Sequence, residues 1–314
     1  GAQVFFGVWS LQPGRAGLRW LLLAPMALDA LLDPRHGAVV VVEQGNAEDA
    51  ASEEVCALYY ADGDPTDGHR SQNATLFANQ RASTFELEGA DGAQIEVSQQ
   101  SDHLRLAGVT GCVVWNGAVV LAKSLALWAG ELGLLELEGR RVLELGAGTG
   151  VLAVACAMLG ATVVATEQAE RLKLLSKNVE RHASHRGAAA GPPWAIGRRG
   201  GSVDVQELDW FSPGPCIGCD LLLATDVVYT EEVTLALVRC LAAYDVPMLL
   251  TVELRTEEVH FCFVEALALA GFLVHRLPPE LHAAEVQTRR VVTYVMSLPS
   301  ADRGACASHA GGGQ

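Results

Sequence analysis

Hydrophobic and polar positions along this chain of 314 residues fall into two regimes that meet near Gly111. Beyond that point, short apolar runs alternate with longer stretches whose apolar side chains recur at helical spacing. This is the mark of a parallel sheet flanked by helices. Strands are predicted at 141–145, 162–166, 203–207, 221–225, 248–253, 273–276 and 291–296, and helices at 117–132, 150–159, 169–182, 231–244 and 257–270. The fold expected is α/β, with one Rossmann-like seven-stranded sheet.

Before Gly111 the pattern is weaker. Residues 44–81 are rich in Ala, Asp, Gly, Asn and Ser, carry the turn-forming run Asp62-Gly63-Asp64-Pro65-Thr66-Asp67-Gly68, and show no sustained apolar period. They read as a mobile insertion. Strand patterns at 84–87 and 93–98 flank Gly89-Ala90-Asp91-Gly92, and Asp-Gly turn chemistry makes them a β-hairpin. The broken apolar stretch 18–32 reads as a core element, 184–201 as a loop, and 299–314 as a disordered tail. The expected division is therefore an N-terminal extension over 1–110 and a catalytic domain over 111–298.

The most informative segment is Val142-Leu143-Glu144-Leu145-Gly146-Ala147-Gly148-Thr149-Gly150, a strand that runs into a glycine-rich turn and opens a helix. Glycine lets the backbone approach a ligand closely, so Gly146, Gly148 and Gly150 are candidate cofactor contacts. The next strand ends on Glu167, where an acid can accept hydrogen bonds from both ribose hydroxyls. A nicotinamide-dinucleotide site shares those features. Here, however, the glycines alternate instead of following G-x-G-x-x-G, and the acid Glu144 precedes them. An anion there is expected to repel a pyrophosphate and to suit the cationic methionine portion of S-adenosyl-L-methionine.

Two further segments carry candidate chemistry. Glu207-Leu208-Asp209-Trp210 lies where Asp209 can accept from an adenine amine, or else forms a polar turn with a core tryptophan. Leu221 to Tyr229 reads as a buried strand ending in Thr225-Asp226 with Tyr229 three positions on. Asp226 can hold an incoming amine and Tyr229 can shape its pocket, or else Asp226 caps the next helix.

From Gly111 to about Leu298 the chain resembles the seven-strand protein-lysine methyltransferases of the methyltransferase-like type, methyltransferase family 16. The matched pieces are Val114-Trp115-Asn116-Gly117-Ala118, the Glu144 to Gly150 turn, Leu208-Asp209-Trp210, and Asp226-Val227-Val228-Tyr229 as the family's D-x-x-Y motif. The resemblance implies a class I methyltransferase sheet that binds S-adenosyl-L-methionine. Its cofactor site would involve Trp115, Glu144, Gly146, Gly148, Gly150, Glu167, Asp209, Trp210 and Thr225. Asp226 and Tyr229 would stand beside the acceptor nitrogen, a lysine of a partner protein. The family commonly has an acid where this chain has Asn116, and often a basic residue at the position of Arg255. A small-molecule methyltransferase and a catalytically silent interaction module of the same fold are the alternatives.

Composition narrows the partners. A net charge of −15 and a pI near 5.0 leave no basic footprint for nucleic acid. The most apolar early stretch is too short and interrupted to span a bilayer, so no membrane partner is expected. The eight cysteines suggest no disulfide framework. Cys216-Ile217-Gly218-Cys219 reads as a loop with free thiols rather than a zinc site, and His182 and His185 as helix-end residues, so no metal is expected. A cytoplasmic monomer is expected, with the nucleus as a second location. Because residue 1 is Gly, a removed targeting peptide stays open.

Overall fold

In the computed structural model of the chain, which describes residues 28–42, 46–60, 77–105, 110–184 and 191–299, the apolar runs become one mixed sheet. In chain order the elements are β1 (Val39–Val42), α1 (Ala47–Tyr59), β2 (Thr84–Glu88), β3 (Gln94–Ser98), α2 (Asn116–Ala126), β4 (Arg141–Leu145), α3 (Val151–Met158), β5 (Thr162–Glu167) and α4 (Leu172–Arg181). They continue with β6 (Trp194–Ile196), β7 (Gly201–Glu207), β8 (Leu221–Thr225), α5 (Glu231–Leu241), β9 (Met248–Glu253), α6 (Glu257–Leu269), β10 (Leu273–Arg276) and β11 (Val291–Ser297). The sheet order is β1-β10-β11-β9-β8-β4-β5-β7-β6.

From β9 to β7 the strands are parallel, and β11 enters antiparallel between β9 and β10. The seven expected strands thus occur in the order third, second, first, fourth, fifth, seventh, sixth, that of a class I methyltransferase sheet. Strand order reverses between β4 and β8. Crevices beyond the carboxyl ends of strands at such a point receive ligands.

Strand burial explains why the central runs read as unbroken apolar segments. Every residue of β8 and β9 is buried, because helices cover both faces of the sheet. One face packs on α2, α3 and α4, the other on α1, α5 and α6.

Among the described residues two further strands extend the seven expected ones, β1 pairing with β10 at one edge and β6 with β7 at the other. Two expectations need correction. β6 lies inside the segment read as a loop; Trp194 and Ile196 are buried where they pair, so the short apolar alternation there was real. The segment 44–81 is not wholly an insertion, since Ala47–Tyr59 is a helix packed on α6. Asn46 caps it by accepting from the Glu48 N–H at 3.1 Å, and Ala51, Glu54, Val55 and Tyr59 form its buried stripe. A buried glutamate in the middle of that stripe concealed the period. β1 and α1, from the N-terminal extension, pack with the sheet and α6. Residues 61–76, 185–190 and 300–314, on which parts of the insertion, loop and tail expectations fall, lie outside the described residues.

The hairpin β2–β3 forms as expected, with Asp91 and Gly92 both at positive φ, as its Asp-Gly turn requires. It is clamped to the body by the fully buried Asn178 of α4. That side chain accepts from Ser98 N at 2.8 Å and donates to Ser98 O and Thr149 O, each at 3.0 Å. The hairpin is thereby tied to the glycine turn itself.

Candidate active site

The turn after β4 carries positive φ at Gly146, Gly148 and Gly150, where L side chains are strained. Each glycine has a separate reason. A Cβ on Gly146 would lie 3.0 Å from the Trp210 ring and 3.1 Å from Val227. On Gly150 it would lie 2.8 Å from Leu175, so its glycine serves the packing of α3 on α4. On Gly148 it would face the backbone of Gly111, at 3.5 Å. Gly148 contributes its N–H, which donates to Glu167 Oε2 at 3.0 Å.

Glu167 ends β5, and its other oxygen accepts from Gln168 N at 2.9 Å. Burial raises its carboxyl above the ordinary range, against the two backbone N–H donors. Gly111 passes close over it, leaving little space: a Cβ there would lie 3.0 Å from Glu167 Oε2. The sequence reading missed Gly111. Its only signal was a lone glycine before the apolar run.

A cavity of about 300 Å³ opens beyond β4, β5, β7 and β8, within the range of small-molecule sites. It is bordered by Gly146, Glu167, Asp209 and Trp210 and also by Trp115, Thr225, Asp226 and Tyr229. Phe211 and Val233 form an apolar part of its rim, and Arg171 supplies a cation. The structure thus gathers most of the residues that sequence singled out.

Glu144, Gly148 and Gly150 do not border it. Glu144 is 2% exposed beneath the turn, and its Oε2 has no hydrogen-bond partner. Burial, and next the charge of Glu167, push its carboxyl well above the usual range. It is a buried acid under the turn with one unused oxygen.

Asp226 has φ +55°, a left-handed conformation that aspartate tolerates better than most residues. Its Oδ2 accepts from Gly117 N at 2.7 Å and its Oδ1 from Glu253 N at 3.3 Å. It does not cap the following helix, where Thr230 accepts from Val233 N instead. Asp226 acts on the first turn of α2, from 109 positions away. Burial raises its carboxyl to about 6, opposed by Arg255 and reinforced by Glu253. A Cβ on Gly117 would lie 2.5 Å from Asp226 Oδ2, which explains that glycine.

Trp115 donates its indole N–H to Thr110 O at 2.9 Å, and the Arg255 guanidinium lies 4.2 Å from its ring centroid. Tyr229 borders the cavity with its hydroxyl pKa raised by burial, against a hydrogen bond with Thr110. Asp209 Oδ1 accepts from Phe211 N at 3.0 Å, leaving its second oxygen outside that bond. Among the described residues no group of His, Cys, Asp and Glu is arranged to hold a metal ion. Cys216 and Cys219 are free thiols, and His182 meets the backbone of Glu96 in β3.

Residues 96–265 match the family model described as lysine methyltransferase. Protein N-lysine methyltransferase METTL21A of Danio rerio is 36% identical over 170 residues, covering 52% of this chain and 68% of that protein. Protein-lysine N-methyltransferase EEF2KMT of Mus musculus is 31% identical over 210 residues, covering 59% of each. Among solved structures, magnesium protoporphyrin IX methyltransferase from Synechocystis PCC 6803 with bound SAH is 15% identical, with a TM-score of 0.40 over 57% of this chain and 82% of that one. That structural likeness is too slight to carry an argument; strand order and the family match carry it.

Proposed function

Because this chain belongs to the lysine methyltransferase family, we propose that it transfers a methyl group from S-adenosyl-L-methionine to the ε-amino group of a lysine in a partner protein. One observation carries the reading. A carboxylate fixed on two backbone N–H groups, Asp226, borders the same cavity as Glu167 at the glycine turn.

The residues on the donor side fit the cofactor. Glu167 has lone pairs beyond its two backbone donors for ribose hydroxyls, Asp209 has a second oxygen for the adenine amine, and Glu144 has a buried oxygen without a partner. Bound there, the cofactor supplies a methyl group on a sulfonium, open to in-line attack. The chain has little covalent chemistry to perform: it aligns the reactants and excludes water. On the acceptor side, Asp226 orients the amine and favours its approach as a cation, Trp115 and Tyr229 confine it, and water carries the released proton away.

The partner is a protein rather than nucleic acid, a reading supported by the net charge of −15. We place the enzyme in the cytoplasm, and also in the nucleus, as a monomer without a membrane partner. The described cysteines are free, which supports a reducing compartment, and no helix among the described residues is long and apolar enough to cross a membrane. The test is transfer of labelled methyl from S-adenosyl-L-methionine to a cell lysate. Label in protein hydrolysing to methyl-lysine is the expected result. Label in small molecules alone, or none, would overturn it.

A further inference from the structure

The acceptor side of the cavity is held by a residue that does not border it. Glu253 is the last residue of β9, 8% exposed, and its main-chain N–H donates to Asp226 Oδ1 at 3.3 Å. Its side chain is shared among three partners. Asn116 Nδ2 donates to Oε2 at 3.1 Å, Arg290 donates to Oε1 at 2.9 Å, and Arg255 Nη2 lies 3.5 Å from Oε2.

Two of these partners, Asn116 and Arg255, lead back to the cavity wall. Asn116 is the first residue of α2, beside Gly117, whose N–H holds Asp226 Oδ2. Its own Oδ1 accepts from Phe77 N and Ala78 N, both at 3.1 Å, so the amide cannot turn over without losing them. An acid at this position would set a second carboxylate against Glu253, whereas the amide donates to it. Arg255 extends from the same ion pair over the ring of Trp115, 4.2 Å from its centroid. A buried carboxylate serving two guanidinium groups cannot be removed without leaving charge unpaired, so its neighbours should move when it is changed.

We propose that Glu253 is a positioning residue for methyl transfer: its main chain holds the Asp226 carboxylate, while its side chain holds the first turn of α2 through Asn116 and the Trp115 ring through Arg255. The proposal rests on the methyl-transfer reading above. A merely structural ion pair would give stability and nothing more. The arrangement here sets the relative placement of a carboxylate and an aromatic face that border one cavity. It also sets the charge that Asp226 feels. The charged groups facing Asp226 are Glu253 and Arg255, of opposite sign, and α2 presents the Gly117 amide.

The test uses the full chain with Glu253→Gln and, separately, Arg255→Met. Three quantities are measured: affinity for S-adenosylhomocysteine by calorimetry, the rate of labelled methyl transfer to lysate protein at saturating cofactor, and the titration of Asp226 by carboxyl carbon NMR. Gln in place of Glu253 offers one acceptor oxygen where several donors converge, so one arm is lost. The expected result is cofactor affinity within about threefold and a transfer rate lowered about tenfold or more. The Asp226 midpoint, about 6 in the parent, should move down in Glu253→Gln, where a repelling charge is lost. It should move up in Arg255→Met, where an attracting charge is lost. An unmoved midpoint in both variants, or wild-type transfer by Glu253→Gln, overturns the proposal. So does a lower melting temperature with an unchanged rate per folded molecule. If Glu253→Gln does not fold, Arg255→Met decides from the other side of the pair: a raised midpoint with slowed transfer supports the proposal, and neither change overturns it. Opposite midpoint shifts in a protein whose parent transfers no methyl group would refute the methyl-transfer reading instead.

Discussion

On the donor side of the cavity, Gly148 N reaches Glu167 across 19 positions of sequence, from the turn after β4 to the end of the adjacent parallel strand β5. On the acceptor side, Gly117 N reaches Asp226 across 109 positions, and Asn116 reaches Glu253 across 137. The first side is made largely of backbone: a glycine turn whose Gly148 N–H is held by an acid at the next strand end. The second is made of side chains from α2, β8 and β9 that meet only after the sheet has formed. Backbone geometry of the first kind is specified by a short motif, whereas a side-chain assembly depends on the packing of elements around it. The two halves should therefore fail differently.

The largest effect expected is on the acceptor side. Asp226→Ala removes the acceptor of two backbone N–H groups and places alanine at φ +55°. An orphaned buried donor costs about 1–3 kcal/mol and the left-handed backbone about 1 kcal/mol more. Chemical denaturation should show a loss of roughly 2–4 kcal/mol. Methyl transfer per folded molecule should fall about a hundredfold, because the same carboxylate orients the amine. Affinity for S-adenosylhomocysteine should change only a few-fold. Lost stability with a normal rate would leave Asp226 as an anchor of α2 alone.

A smaller and opposite effect is expected on the donor side. Glu167→Ala removes the hydrogen-bond acceptor for the cofactor ribose, and calorimetry should show affinity lowered about tenfold to a hundredfold, the scale of hydrogen bonds to a charged group. Stability should change less than in Asp226→Ala. The Gln168 donor is at an exposed site, and the carboxylate already bears the cost of burial that raises its pKa. The transfer rate at saturating cofactor should stay within a few-fold of the parent. If the saturated rate collapsed while affinity held, the two halves would have exchanged roles.

The contrast also explains what could be read from the residues alone. All seven strands found by apolar pattern lie in the sheet, four of them with the bounds expected, because a parallel strand covered on both faces writes its burial directly into sequence. Gly146, Glu167 and Asp226 were legible because strand ends at the reversal of order gather ligands wherever the fold is doubly wound. What escaped was whatever depends on a partner far along the chain. The stripe of α1 is interrupted by Glu54, which is buried because Tyr294 donates to it at 2.8 Å and Arg276 pairs with it at 3.4 Å. Asn178 reads as an ordinary helical polar residue until the hairpin lies against it. Glu253 reads as the end of a strand until Asn116, Arg255 and Arg290 converge on it. Glu144 was found, but no local pattern shows that its side chain is buried.

The smallest expected effect tests whether the acceptor carboxylate bears a burial cost at all. Asp226 has its pKa raised from 3.8 to about 6, so the folded protein binds a proton there more tightly than the unfolded chain. Stability from this group is therefore fully present below about 3.8 and lost as pH rises through about 6. His260 and His282 act in the other direction. Burial lowers each to about 4, so acid costs stability as pH falls below 6.5. The two tendencies mask one another in the parent protein. Comparing it with Asp226→Asn separates them, because both proteins keep the histidines and asparagine also tolerates positive φ. Between about pH 7 and about pH 5, the stability of the parent minus that of the variant should rise by about 1 kcal/mol, as Asp226 takes up its proton. Urea denaturation of both proteins at the two pH values measures that difference. A constant gap would mean that Asp226 stays ionised without penalty, its charge fully met by Arg255 and the two backbone N–H groups. The acceptor side would then be as settled electrostatically as the donor side, and the contrast between the halves would reduce to which residues supply the contacts.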